Sequence, residues 1–309
     1  MKRFTLIIMT AALLFAGCGS SGESTAGGQS AAEPTDFSYA PVTVTTGTTE
    51  SAATDEVSLE DLAIDPPYSF NPDEMLPSDF GDYFKTQYNS VTSTYKLLAG
   101  DRYESEVTMI KSPVDGPSVY VIAGIHGDEE AAWQAGKLLK KISIKAGTLY
   151  IIAPANKYGA VSHSRLIDSK DPNRVWPGDK NGNGAEKVAA SIFADVKEKS
   201  PDFVFDLHEA RIISDDRDFL GSSLIYTTLD VFPDDLFMDI IDDAQNGIIC
   251  NHKLNSYSPG PAGSVNRTIT EKLGIPTFTV ETFRGYQMED RIHDQLDIVN
   301  WVLKCYGLE

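Results

Sequence analysis

Residues 124–129 (Gly-Ile-His-Gly-Asp-Glu) place a histidine and a glutamate three positions apart, directly after an apolar run. The run, residues 118–123, is typical of a buried strand. Side chains at the spacing of His126 and Glu129, in the turn where a strand ends, can reach one metal ion from the same side. Imidazole and carboxylate are both common zinc ligands. The segment therefore predicts two ligands of a metal site.

Two further apolar runs each lead to a polar residue that could complete such a site. Residues 202–207 precede His208, and residues 277–280 precede Glu281. Zinc hydrolases use three protein ligands and leave a fourth position to water, whose pKa falls to roughly 7. His208 is the candidate third ligand. A nearby carboxylate must carry the proton to the leaving group, and Glu281 is the candidate for that base.

Two arginines could stabilise negative charge beside the predicted metal. Charge that develops on a carbonyl oxygen needs a cation or donor beyond the metal. Arg165 and Arg174 lie in a loop with few structural demands of its own. Either guanidinium could serve such a role.

The elements that must position these residues are visible from residue 118 onward. Continuous apolar runs indicate strands covered on both faces, which favours parallel pairing. Their alternation with helical patterns predicts an α/β fold, a mixed but mostly parallel wound sheet flanked by helices. Residues 91–112 predict an antiparallel hairpin with one exposed face. The predicted strands and helices are 118–123, 128–141, 148–153, 185–198 and 202–207.

The candidate residues should meet at one edge of this sheet. In open α/β sheets, ligands bind beyond the carboxyl ends of the strands. His126, His208 and Glu281 lie at or just past such ends, and Asn156 follows residues 148–153. Asp206 should share a strand face with His208, where it could orient the imidazole by a hydrogen bond.

The N-terminal segment predicts the cellular location of the protein. After a short basic start, residues 6–15 are apolar but too few to span a bilayer. Residues 14–18 resemble the lipobox of bacterial lipoproteins, which implies removal of signal peptide 1–17 and lipidation of Cys18. An ordinary secretory signal with a chance cysteine is the alternative. The expected product is an extracytoplasmic protein that a lipid anchor attaches to the bacterial membrane.

The rest of the chain divides by composition. Residues 18–57 are rich in Gly, Ser, Thr and Ala and predict a flexible tether, since they cannot bury enough apolar surface to order. Residues 58–90 predict an irregular lead-in, and residues 91–309 one catalytic domain. The net charge of −19 argues against nucleic acid as a partner. Cys250 and Cys305 could pair or remain buried thiols.

Together these motifs resemble the succinylglutamate desuccinylase/aspartoacylase family of the carboxypeptidase A-type zinc peptidases. The resemblance spans about residues 92–305, and its motifs occur in family order. They are residues 124–129, Arg165, Asp171-Pro-Asn-Arg-Val-Trp-Pro-Gly178, residues 206–208 and Glu281.

The resemblance implies a role for each matching residue. His126, Glu129 and His208 would hold Zn²⁺, and Glu281 would be the general base and acid. Arg165 would polarise the scissile carbonyl, and Asn173 with Arg174 would bind a substrate carboxylate. The chain departs from the family pattern in three places: the interval from Arg165 to Arg174 is one residue longer, Pro172 replaces a common leucine, and Glu209 follows His208.

The sequence thus predicts a membrane-anchored zinc-dependent hydrolase that cleaves an amide bond in a carboxylate-bearing substrate. The substrate would be a small peptide or an N-acyl amino acid, as for a carboxypeptidase or a deacylase. A ligand-binding lipoprotein without catalysis and a zinc esterase are the alternatives. Glu281 could also be a structural ion-pair partner of Arg284, and Arg174 a surface salt-bridge residue. Tyr257 and Tyr286 are candidates for a substrate-pocket tyrosine.

Overall fold

The computed structural model describes residues 83–210, 220–233 and 235–309. The predicted signal peptide, the tether, Cys18 and most of the lead-in lie outside this range and stay predictions. Among the described residues, no helix has both the length and the apolar character that a bilayer crossing requires.

A mixed eight-stranded sheet forms the centre of the described fold, in the order β1-β2-β4-β3-β5-β8-β6-β7. Its strands are β1 Val91–Leu97, β2 Ser105–Lys111, β3 Ser118–Ala123, β4 Thr148–Ile152, β5 Phe203–Ala210, β6 Ser223–Ile225, β7 Asn255–Tyr257 and β8 Thr277–Phe283. The helices are α1 Glu130–Leu139, α2 Lys157–Ser162, α3 Gly184–Lys199, α4 Leu236–Gln245, α5 Val265–Leu273 and α6 Met288–Cys305. A 3₁₀ turn spans Pro172–Arg174.

The four central strands, β4, β3, β5 and β8, are parallel. Strands β2 and β6 pair antiparallel with this parallel group at either side. This arrangement confirms the predicted mixed, mostly parallel α/β sheet. It also confirms the predicted hairpin, because β1 and β2 pair antiparallel.

Side chains of the central strands alternate between two buried cores. On one face Val121, Phe205 and Val280 pack with α1 and α6. On the other face Ile122 and Val204 pack with α3 and α5. Because both faces are covered, these strands are apolar at successive positions and not only at every second one.

The chain reverses its winding direction between β3 and β5, which are neighbours at the centre of the sheet. From β3 it passes through α1 to β4 on one side, and after β5 it forms β6, β7 and β8 on the other. Such a reversal leaves a crevice beyond the carboxyl ends of the two strands, where ligands bind in open α/β sheets. His126 follows β3 and His208 lies near the end of β5.

Two element boundaries near the site and the exposure of one strand differ from the sequence-based expectation. Helix α1 begins at Glu130 and not at 128, since Glu129 is its N-cap. Strand β5 continues to Ala210 because its pairing with β8 extends to the register pair Ala210 and Phe283. His208 and Glu281 therefore lie within the last residues of their strands. Strand β1 is exposed on both faces at the sheet edge, so its hairpin has more than one wet face.

Candidate metal centre

The loop that carries His126 is held close to the backbone of α2. Gly124 has φ +76°, a conformation that favours glycine, and a Cβ there would lie 2.7 Å from Trp133 Cβ. A Cβ on Gly127 would lie 1.9 Å from the carbonyl carbon of Gly159. Asn156 fixes the other side, because its side chain donates to Ile125 O and accepts from Gly159 N. The loop therefore has little freedom to move His126.

His126, Glu129 and His208 meet in one buried cluster. Nδ1 of His126 lies 2.9 Å from Glu129 Oε1, and Nδ1 of His208 lies 2.6 Å from Glu129 Oε2. Each residue offers one ligand atom, and these atoms lie within 4.8 Å of one another. The structure thus brings together the three residues that the sequence predicts as metal ligands.

Each imidazole is held on its opposite edge by a second carboxylate. Nε2 of His126 lies 2.9 Å from Asp171 Oδ1, and Nε2 of His208 lies 2.8 Å from Asp206 Oδ1. A carboxylate cannot donate, so each Nε2 carries a proton and each Nδ1 faces the cluster. Metal-binding histidines are oriented in this way. The expectation that Asp206 would lie beside His208 is confirmed.

Asn173 packs against the same edge of His208. Its Nδ2 lies 3.0 Å from His208 Nε2, but that nitrogen already donates to Asp206, so the two N–H groups do not bond. The amide instead donates to Asp206 Oδ2 at 3.4 Å, and its Oδ1 accepts from Val265 N at 2.8 Å. Asn173 therefore joins the 3₁₀ turn to α5 beside the cluster.

The electrostatics of the cluster favour a charged Glu129 carboxylate beside a cationic His208 imidazole. Burial alone would raise the pKa of Glu129, but His126 and His208 hold it well below its usual range. Burial alone would lower the pKa of His208, but Asp206 and Glu129 raise it well above its usual range. Both Nδ1 atoms face the Glu129 carboxylate, and a divalent ion bound there would displace a proton from His208, because metal binding to histidine releases protons.

Glu281 lies next to the cluster without belonging to it. It is the register partner of His208 across β5 and β8, and such partners point to the same face of the sheet. Its Oε2 is buried and has no hydrogen-bond partner among the described residues. Burial raises the pKa of Glu281 to about 7. A carboxyl group in this state suits a general base that works near neutral pH.

The two predicted arginines have different hydrogen-bond partners. Arg165 donates to Glu129 Oε1 at 2.8 Å and bonds Asp171 Oδ2 through Nε and Nη2 at 3.3 and 3.2 Å. Arg174 donates from Nη1 to the carbonyl of Asn173 at 2.8 Å. Within the described ranges, Arg174 forms no ion pair with a carboxylate.

Arg284 lies beside Asp128 and Glu129, whereas the sequence offered Glu281 as its candidate partner. Its guanidinium lies 3.3 Å from Asp128 Oδ2 and 3.8 Å from Glu129 Oε1. No ion pair with Glu281 occurs in the described part of the chain. Tyr286 stacks on His252 at 3.4 Å between ring centroids, so that ring has a structural contact of its own.

A second group of potential metal donors consists of Cys250, Asp294 and Asp297. Both carboxylates already accept backbone N–H groups, from Asn251 at 2.5 Å and from Cys250 at 2.9 Å. Cys250 has φ +63°. We interpret this group as a clamp on a strained turn. Cys250 and Cys305 are both free thiols.

Sequence reasoning assigned no role to Asp171, Thr279 or Glu209. Asp171 belongs to the Asp-Pro-Asn-Arg motif, but its contact with His126 depends on the loop path. Thr279 donates to Asp206 Oδ2 at 3.1 Å, which its register pairing with Asp206 could have indicated had β8 been aligned. Glu209 lies on the opposite face of β5 from His208 and touches the start of α1.

The donor set fits a divalent metal of the zinc type. Two imidazole nitrogens and one carboxylate are three of the ligands that zinc prefers, and both imidazoles carry carboxylates on their far nitrogens. The cluster is buried, with His126, Glu129 and His208 each at most 2 % exposed. The site could hold one ion close to Glu281.

The part of the chain that contains the candidate site matches a known protein family. A family model described as the succinylglutamate desuccinylase/aspartoacylase catalytic domain matches residues 115–299, which include every site residue discussed above. No curated protein sequence matches the chain.

Several solved structures have the same fold. A succinylglutamate desuccinylase/aspartoacylase from Rhodobacter sphaeroides is 19% identical, with a TM-score of 0.52 over 73% of this chain and 67% of that chain. The product-bound ectoine utilization protein EutE (DoeB) from Ruegeria pomeroyi is 22% identical, with a TM-score of 0.53 over 72% and 68%. The tripeptide-bound cell shape determinant Csd4 from Helicobacter pylori is 17% identical, with a TM-score of 0.57 over 66% and 56%. At these identities the likeness concerns the fold alone.

Proposed function

The chain belongs to the succinylglutamate desuccinylase/aspartoacylase family, a family of hydrolases, and we propose that it is a zinc-dependent amidase acting on a carboxylate-bearing substrate. One observation carries this proposal. Nδ1 of His126 and Nδ1 of His208 converge on the Glu129 carboxylate, while Asp171 and Asp206 hold their Nε2 atoms.

Zinc at His126, Glu129 and His208 would supply Lewis acidity, which polarises a carbonyl and activates water at neutral pH. Glu281 accepts a proton from the attacking water and returns it to the leaving nitrogen. Its buried Oε2 has no competing hydrogen bond among the described residues, and a pKa of about 7 suits both steps.

Arg165 and Arg174 have separate tasks in this proposal. Arg165 places its guanidinium beside Glu129, where it can stabilise negative charge that develops on the carbonyl oxygen. Arg174 forms no ion pair with a carboxylate in the described ranges and binds the substrate carboxylate, for which an arginine fork is well suited. Asn173 assists, because its 3.4 Å contact with Asp206 is a weak competitor for its N–H groups.

The substrate is a small peptide or an N-acyl amino acid. Support for this class comes from the family and from two neighbours whose structures hold a tripeptide and a product. The lipobox resemblance at Cys18 makes the enzyme a lipid-anchored protein outside the cytoplasm in this proposal, which favours a peptide substrate at the cell surface.

The proposal is tested with metal-free protein, to which zinc is added, on a panel of N-acyl amino acids and short peptides. Each substrate is paired with two analogues. In one the free carboxylate is blocked as a methyl ester, and in the other an ester replaces the scissile amide. The expected result is release of an amine from the free-carboxylate amides only, with loss on chelation and recovery with zinc. Zinc binding without turnover would indicate a binding protein. Turnover of the analogues with a scissile ester, but not of the amides, would indicate an esterase.

A further inference from the structure

The first turn of α1 lacks the cap that its own N-cap residue would normally provide. Glu129 is the N-cap of α1, yet its side chain makes no capping hydrogen bond. Its two carboxylate oxygens face His126 and His208 instead. The first N–H groups of a helix have no partner within the helix, so another acceptor must serve them.

Glu209 supplies that acceptor from the neighbouring strand. Its Oε2 accepts from the backbone N–H of Ala131 at 2.9 Å. Ala131 is the second residue of α1, one of the two positions to which an N-cap side chain normally bonds. In return, the backbone N–H of Glu209 donates to Glu129 Oε2 at 3.1 Å. Glu209 therefore meets the start of α1 twice, because its side chain accepts from Ala131 and its backbone N–H donates to the Glu129 side chain.

Helix α6 fixes Glu209 in this position. Glu209 is 2 % exposed, and its Oε1 forms an ion pair with Arg291. One turn later Gln295 donates to the carbonyl oxygen of His208 at 3.0 Å. A buried carboxylate is tolerated when it is paired and hydrogen-bonded, and here α6 provides the countercharge. Strand β5, helix α1 and helix α6 thus meet at this one side chain.

We propose that Glu209 is a positioning residue that caps α1 in place of Glu129 and so leaves the Glu129 carboxylate for the metal. The proposal rests on the proposed zinc site. Without Glu209, the Ala131 N–H loses its acceptor, and the carboxylate of Glu129 is the adjacent group that could replace it. Helix capping and metal binding would then compete for one side chain.

The test compares Glu209→Ala and Glu209→Gln with wild type, and with Asp195→Asn as a matched control. Asp195 is also a buried acid, bonded by Tyr95 and Tyr120 away from the cluster. Zinc dissociation constants are measured by competition with a chromophoric chelator, and crystal structures of the metal-free variants report where Glu129 lies. These readouts do not depend on activity.

Glu209→Ala is expected to weaken zinc binding by about 10- to 100-fold, the usual effect of losing a supporting partner. Its Glu129 carboxylate should leave His208 Nδ1. Glu209→Gln keeps an acceptor for Ala131 and should fall between wild type and the alanine variant. If Glu209→Ala does not fold, Glu209→Gln is compared with wild type in its place.

Unchanged zinc affinity in both Glu209 variants would overturn the proposal, as would an equal loss in Asp195→Asn. If wild type itself binds no zinc, the proposed function fails. The metal-free structures then still decide the positioning role, because an unmoved Glu129 in Glu209→Ala would refute it.

Discussion

Glu281 lies opposite His208 in the register of the parallel strands β5 and β8. Neighbouring strands are about 4.8 Å apart, and partners in register project from the same face. His208 bonds Glu129 and Asp206, whereas Glu281 Oε2 is buried without a hydrogen bond in the described part of the chain. Backbone pairing therefore places the proposed base beside the proposed metal ligand.

The first prediction concerns Glu281→Gln, which preserves side-chain volume but removes the basic carboxylate. Amide hydrolysis should fall by about 10²- to 10⁴-fold, the contribution of a positioned acid–base group. Zinc content should stay at the wild-type level because Glu281 is not a ligand in this account. Steady-state kinetics and metal analysis of the same preparation check both statements.

The surface variant Glu271→Gln is the control, since Glu271 is exposed on α5 and, among the described residues, pairs with Arg267. It should keep wild-type activity. Full activity in Glu281→Gln would remove Glu281 from the mechanism and leave the metal site without its base.

The second prediction concerns recognition of the substrate carboxylate by Arg174. Arg174→Met should raise KM for a free-carboxylate substrate by about 10- to 100-fold, because a hydrogen bond to a charged group contributes about 1.5–3 kcal/mol. The KM for the carboxylate-blocked methyl ester should change little. Arg267→Met, which removes a half-buried arginine of α5 that pairs with Glu271, serves as the control. An equal rise in KM for both substrates would contradict the assignment.

The third prediction concerns Asp171, which holds the far nitrogen of His126. Asp171→Asn should weaken zinc binding by about 10- to 100-fold, because outer carboxylates orient the ligating imidazole. Asp168→Asn is the matched control, since Asp168 accepts from Tyr103 and Gly184 and touches no proposed ligand. Chelator competition gives both affinities, and equal values for the two variants would show that Asp171 does not support the site.

The strands that lead to the candidate site can be predicted from local sequence. The apolar runs before His126 and His208 predicted β3 and most of β5, because strands covered on both faces are apolar at successive positions. The convergence of His126, Glu129 and His208 then followed from the position of ligands at the carboxyl ends of such strands.

The side chains that hydrogen-bond to these residues and position them could not be predicted in the same way. Asp171 reaches His126 only through the path of the loop, and no local pattern fixes that path. Glu209 was noticed only as a departure from the family motif, because its partners Ala131 and Arg291 come from two other helices. Long-range side-chain contacts of this kind have no periodicity for a sequence to display.

The fourth prediction concerns stability and a residue outside the candidate centre. Asp297 lies beside Cys250 and His293, and burial raises its pKa to about 6. A folded-state pKa above the unfolded value of about 3.9 means that the folded chain binds more protons, so stability falls as pH rises from about 4 through 6. Asp297→Asn removes this loss and keeps an acceptor for the Cys250 N–H.

Denaturant unfolding of both proteins between pH 4 and 8 checks the sign. The variant should equal wild type near pH 4 and exceed it by about 1–2 kcal/mol above pH 7, after allowance for solvent screening. The exposed Asp230→Asn should show no such trend. A variant that is less stable than wild type at pH 8 would show that ionised Asp297 stabilises the fold.

The most direct measurement of the central claim is the zinc stoichiometry of wild type beside His126→Ala and His208→Ala, determined after dialysis against a weak chelator. This account predicts close to one tightly bound zinc per wild-type chain and its loss in each variant, since each removes one of three ligands. Retention of the wild-type zinc content in both variants would place the metal elsewhere and contradict the account.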